Sequence, residues 1–165
     1  MTNPWNEDPF PMSTLAPKNA CDLLDADHIA VKHLFVEYAR QAMAAPDAVA
    51  ERQPLAARIC AELTVHAQIE EEIFYPALRE AVDAAVLVDQ AEAEHQQAKQ
   101  LIAQIQAMKR PQPALDDLVS ALARAIEQHV KEERDHLFPK ARSAPDLDLD
   151  ALGAQLQERQ EALTA

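Results

Sequence analysis

Two stretches of the chain, His66 to Glu70 and His129 to Glu133, carry a histidine and a glutamate four residues apart. On an α-helix that spacing stacks the two side chains one turn apart on a single face, so an imidazole and a carboxylate aim at one interior point. Mixed imidazole and carboxylate ligation suits iron, manganese or zinc. The two stretches agree beyond the pair, because Pro76 and Arg79 follow His66 as Pro139 and Arg142 follow His129. Upstream of them, Asp25-Ala-Asp27-His28 recurs as Glu92-Ala-Glu94-His95. The chain therefore reads as two copies of one helix pair, each supplying one histidine and then a histidine with a glutamate.

The elements that must position these residues are helices. A single glycine and abundant Ala, Leu, Gln and Glu favour an all-helical protein. The first helix is expected from Asn19, a good N-cap, to about Ala44, with Leu24, His28, Val31, Phe35 and Tyr38 facing inward. The second opens around Pro54, turns Ile59, Leu63, His66, Glu70 and Ile73 inward, and ends or bends at Pro76. The third runs from about Asp83 to Lys109 behind Val88, Ala91, His95, Ala98, Ile102 and Ile105. The fourth carries Leu115, Leu118, Leu122, Ile126, His129, Glu133 and His136 in one stripe as far as Pro139.

Four long helices and short loops predict an up-down-up-down four-helix bundle over residues 20–142. An extended arm, residues 1–19, precedes it, with Trp5 and Phe10 as candidates to dock on the bundle or on a second subunit. A short fifth helix within residues 143–165 is expected to pack on its side or end. The bundle centre then holds four histidines and two glutamates. Uncompensated buried carboxylates cost several kcal/mol each, on the order of the penalty for any unpaired buried ion, and bound cations remove that penalty. Repetition suggests His28 with His66 and His95 with His129, a pairing that spacing alone leaves open.

In these motifs the chain resembles the hemerythrin-like HHE cation-binding proteins, four-helix bundles that hold a non-haem di-iron centre. The resemblance spans roughly residues 20 to 142 and implies His28, His66, Glu70, His95, His129 and Glu133 as metal ligands, with the two glutamates bridging two iron ions. Zinc or manganese would be the substitutes. Oxygen-carrying hemerythrins have a second histidine one turn after the third-helix histidine, where this chain has Lys99, and an aspartate where it has Arg134. The expected result is a centre with an open position, one that binds and reduces oxygen, nitric oxide or peroxide rather than carrying oxygen. A non-catalytic oxygen or iron sensor, or an iron store, is the alternative, so enzymatic turnover stays open.

Asp25 and Glu92 are candidates for an outer role, accepting a proton from an imidazole. They also satisfy an acid-x-x-His spacing of ferritin-like di-iron bundles, a scheme that leaves His66 and His129 unused. His136 is a candidate relay or additional ligand. The net charge of −13 opposes phosphate backbones and anionic lipid, so nucleic acid and membrane are not expected partners. With no apolar run near the roughly 20 residues of a membrane span, a cytoplasmic monomer or homodimer is expected. Cys21 and Cys60 form no C-x-x-C pair and read as small core residues.

Overall fold

The computed structural model describes residues 19–165, and every regular element among them is helical. Trp5 and Phe10 lie outside the described residues. Helix α1 (Ala20–Ala44) is capped by Asn19, whose side-chain oxygen accepts the Asp22 backbone N–H at 2.9 Å. Helix α2 (Val49–Ile69) continues through a π-turn, Glu70–Phe74, into α3 (Tyr75–Ala81). Helix α4 (Ala85–Ala107) returns, and α5 (Ala114–Glu132) again continues through a π-turn, Glu133–Leu137, into α6 (Phe138–Ser143). Helix α7 (Leu149–Thr164) closes the chain, with Leu152 and Leu156 buried. Counting each π-linked pair as one rod gives the expected four-helix bundle plus a fifth helix. Around the bundle α1 neighbours α2 and α5, and α4 neighbours α2 and α5.

Helix continues beyond Pro76 and Pro139, so of the two readings at Pro76, an end or a bend, the end is excluded. Pro76 and Pro139 neither end nor break their helices. A proline lacks the N–H for the bond to the residue four back, and its ring crowds that carbonyl. The π-turn before each widens the backbone, with Tyr75 N–H bonding Glu70 O and Phe138 N–H bonding Glu133 O, so the rod passes through. Pro54 lies inside α2 rather than at its start, because the helix begins five residues earlier at Val49. Arg52 holds that early turn by donating to the carbonyls of Ala45 and Pro46, each at 3.0 Å.

The core is split in two. Leu24, Phe74, Tyr75, Val88, Phe138 and Leu156 belong to one cluster, and Val31, Ile59, Leu63, Ile102, Leu115 and Leu122 to the other. Cys21 and Cys60 fall one in each cluster as free thiols, with burial pushing both up to about 11. Between the clusters every long helix contributes a buried polar residue.

Candidate metal centre

His28 from α1, His66 from α2, His95 from α4 and His129 from α5 meet at the midline, each no more than 7% exposed, together with fully buried Glu70 and Glu133. The Nε2 atoms of His28 and His66 are 3.1 Å apart, and those of His95 and His129 are also 3.1 Å apart, which is the pairing that repetition suggested. Both glutamates stand between the pairs. Glu133 Oε1 lies 3.1 Å from Nε2 of His28 and 3.1 Å from Nε2 of His129. Glu70 Oε1 lies 3.0 Å from Nε2 of His66 and 3.3 Å from that of His95. Ligand atoms of His28, His66, Glu70 and Glu133, and separately of Glu70, His95 and His129, fall within 4.8 Å of one another.

These residues fit a pair of cations. Both oxygens of Glu70 and Oε1 of Glu133 have no hydrogen-bond partner despite complete burial. Native interiors seldom leave carboxylates so. Two ligand atoms at right angles on a metal about 2.1 Å from each are separated by about 3.0 Å, the spacing of the Nε2 pairs. Without a cation, protons must serve. Burial would lower the basicity of His66, but the Glu70 charge and the Asp27 bond outweigh it and raise the imidazole to about 10. Against the same burial penalty, Glu133 and its neighbours hold His129 well above its ordinary range, and the His66 charge holds Glu70 well below its own. Protons and cations compete for one set of nitrogens, so acid expels the metal.

The outer nitrogens of His28, His66 and His129 are also held, while that of His95 makes no hydrogen bond. His28 Nδ1 meets Asp25 Oδ1 at 3.3 Å, and Asp25 accepts in turn from Arg134 at 2.6 Å. His66 Nδ1 meets Asp27 at 3.0 Å, itself gripped by Gln160 of α7 at 2.9 Å. His129 Nδ1 meets Glu94 at 3.1 Å. His95 Nδ1 lies 3.4 Å from Glu71, whose other oxygen accepts from Lys99 at 2.7 Å. A carboxylate can only accept, so at His28, His66 and His129 it fixes the proton on Nδ1 and turns the Nε2 lone pair inward. Arg134 and Lys99, the residues that depart from the oxygen-carrier pattern, thus each neutralise a carboxylate behind a histidine.

Three of these partners are additions to the sequence reading, and two expectations change. Asp27, Glu94 and Glu71 contact imidazoles from neighbouring helices, which the doubled acids of Asp-Ala-Asp-His and Glu-Ala-Glu-His hint at without saying which acid reaches which ring. Glu92 reaches no histidine, because Arg79 draws it away at 3.3 Å. His136 is turned out to solvent, its side chain 55% exposed, because the wider turn brings Leu137 rather than His136 to the inner side after Glu133. Tyr75 brings its hydroxyl to 3.2 Å from His95 Nε2 and donates to Glu133 Oε2 at 3.2 Å. Burial, then Glu133 and Glu70, keep that phenol protonated well above its usual range in the absence of metal.

Replacing Asp27 or Glu94 by alanine is expected to weaken metal affinity about 10–100-fold, the usual worth of such outer partners, whereas Glu92→Ala leaves it unchanged. Competition against a graded chelator series measures this. Equal affinities for all three variants would show that the outer carboxylates do not orient the imidazoles.

A helical bundle with two histidine pairs joined by two glutamates at its midline defines a class of cation-binding protein. The chain belongs to the hemerythrin HHE cation-binding domain family, whose model matches residues 19–141. It is 33% identical over 128 residues to a DNA nickase of a Nostoc species, covering 76% of this chain and only 34% of that protein's length. It is 29% identical over 147 residues to Rv2633c of Mycobacterium tuberculosis and to a Mycobacterium bovis protein, covering 88% of this chain and 87% of each. Among solved structures it is similar to a hemerythrin HHE cation-binding domain protein from Mycobacterium kansasii, a homolog of Rv2633c. The TM-score is 0.73 at 27% identity over 88% of this chain and 87% of that one. No described helix is long and apolar enough to cross a membrane.

Proposed function

We propose that the chain holds a non-haem di-iron pair at His28, His66, Glu70, His95, His129 and Glu133, and that it binds and reduces a small oxidant, namely oxygen, nitric oxide or a peroxide. The observation that carries this reading is one-sided access. A cavity of about 140 Å³ reaches all four histidines but neither glutamate, so carboxylates close one side of the centre and leave the other free for an incoming ligand. When bound, a reduced iron pair supplies two electrons, one from each metal.

The chain's own residues do the rest. Glu70 and Glu133 hold two positive centres close together by standing between them. Asp25, Asp27 and Glu94 keep the imidazole protons on Nδ1. Tyr75 holds a hydroxyl proton beside His95 and Glu133, on the side of the centre that the carboxylates close. Lys99 faces Glu71 and His136 faces solvent, so neither takes the position that a further histidine fills in oxygen carriers. The nicking activity named for the Nostoc relative stays with that longer protein, and a net charge of −13 works against binding a phosphate backbone.

The test is to expose anaerobically reduced, iron-loaded protein to oxygen and then lower the oxygen pressure. Irreversible oxidation is expected, followed by repeated peroxide consumption when ascorbate is supplied as electron donor. Full recovery of the reduced spectrum over several cycles would restore the carrier reading, and consumption of one equivalent only would leave a sensor or store.

A further inference from the structure

The cavity against the four imidazoles is larger and drier than a diatomic gas or hydrogen peroxide requires. Its volume is about 140 Å³. A water molecule occupies about 30 Å³ in the liquid, and an engineered apolar cavity of about 150 Å³ in another protein stays dry and takes up benzene or xenon. Here Val31, Leu63, Ala98, Ile102, Ile126 and Val130 provide walls without a polar side-chain atom. The polar groups at its margin are already engaged. Thr64 donates its hydroxyl to the Cys60 carbonyl at 2.7 Å, Asp27 accepts from His66 and Gln160, and Lys99 is paired with Glu71. Buried water needs two to four polar partners on the usual count, so water away from the imidazoles is poorly held. A second cavity, between α1 and α5, shares His28, Ile126 and Val130 with the first; Phe35, Val36 and Ala39 give it an apolar wall, and Lys32, Glu127, Lys131, Arg134 and Asp135 give it a charged rim.

We infer that this cavity binds the alkyl or aryl part of an organic ligand whose polar end faces the imidazoles, and that the substrate class of the centre is an organic hydroperoxide. The peroxide end of this assignment rests on the reading proposed above, whereas the apolar cavity stands on its own walls. In the reaction the O–O bond of the hydroperoxide breaks, two electrons come from the diferrous pair, and two protons are taken up. The products are the corresponding alcohol, water and a diferric pair.

Binding is tested first without redox chemistry. Zinc-loaded full-length protein is titrated with benzene and followed by methyl NMR and thermal melting. Saturable shifts at Val31, Leu63 and Ile102 with a raised melting temperature are expected. They should vanish in Ile102→Phe and in Ala98→Leu, two independent ways of filling the space, at unchanged zinc content. No saturable binding to the zinc-loaded protein, binding to metal-free protein only, or binding that survives in a folded, cavity-filled variant would each overturn the inference. The second arm uses diferrous protein in single turnover. In a filled variant the rate with tert-butyl hydroperoxide is expected to fall at least tenfold more than that with hydrogen peroxide, and equal falls would overturn the substrate assignment. Benzene binding in a protein that consumes neither peroxide would refute the proposed redox function and the hydroperoxide class with it, yet uphold the apolar binding site.

Discussion

Glu70→Ala is expected to empty both halves of the metal centre, whereas loss of one histidine weakens chiefly its own half. Glu70 Oε1 approaches one imidazole from each pair, His66 at 3.0 Å and His95 at 3.3 Å, so its removal takes a ligand from both positions at once. It also removes the negative charge that makes two adjacent cations tolerable in a buried site. Outer partners alone are worth about 10–100-fold in affinity, so a residue shared by both positions should cost more than about 100-fold. The bundle should still fold, because one apolar cluster lies on each side of the polar layer and neither includes Glu70. Elemental analysis of purified variant beside wild type, with circular dichroism to establish folding, gives the answer. Full metal content in a folded Glu70→Ala protein would contradict the shared-carboxylate arrangement.

Arg52→Ala should cost about 3 kcal/mol of stability without touching the metal centre. Arg52 is 1% exposed and makes a two-point pair with Asp116 at 2.8 and 2.6 Å, while Tyr38 donates to the same carboxylate at 2.7 Å. The cluster ties the end of α1 and the start of α2 to the start of α5. Breaking a buried pair costs about 3–5 kcal/mol, and the low end applies because Asp116 keeps 32% of its side chain in water. The Arg52 bond holds the Asp116 carboxyl below its ordinary value against the opposing effect of burial. A carboxyl depressed in the folded state contributes stability above its unfolded pKa and loses it as pH falls through the folded one. Urea unfolding at neutral pH should therefore separate wild type from variant, and the gap should narrow in acid below the usual aspartate range. A gap that persists undiminished in strong acid would show that Arg52 acts through packing and its carbonyl bonds, not through Asp116.

Much of this architecture was legible because helical periodicity is local. The inward residues read for the third helix, Val88, Ala91, His95, Ala98, Ile102 and Ile105, are the buried residues of α4. His66 with Glu70 and His129 with Glu133 could be picked out for the same reason, since a histidine and a glutamate four apart share a face wherever the rod lies, whereas His28 and His95 came from the recurrence of acid-Ala-acid-His and from the family resemblance. What reached across helices was not legible. Asp25 serves its own helix's histidine, but Asp27 and Glu94 serve histidines on the next helix, and only the packing says which. Nothing near Arg52 in the sequence signals its burial, because its partner is 64 residues away. His136 was misplaced by carrying a 3.6-residue period through a turn that does not keep it.

That turn has a consequence for how the family can tolerate change. Each glutamate opens a π-turn and each π-turn is followed by one aromatic residue and then a proline, at Glu70 with Pro76 and at Glu133 with Pro139. A π-turn amounts to one residue more than the α-helix would use, inserted without lengthening the rod by a full step. Deleting a residue between glutamate and proline would leave a chain still able to make a helix. That helix would keep the segments on either side nearly in phase but lose the wide turn that admits the proline, whereas inserting a residue would set them out of phase by about 100°, the angle of one residue at 3.6 per turn. Either the carboxylate would swing out of the centre or the aromatic residues Phe74, Tyr75 and Phe138 would leave the core. The spacing between glutamate and proline is therefore a reading frame, one that substitutions can drift within and that insertions cannot cross without dismantling half of the centre.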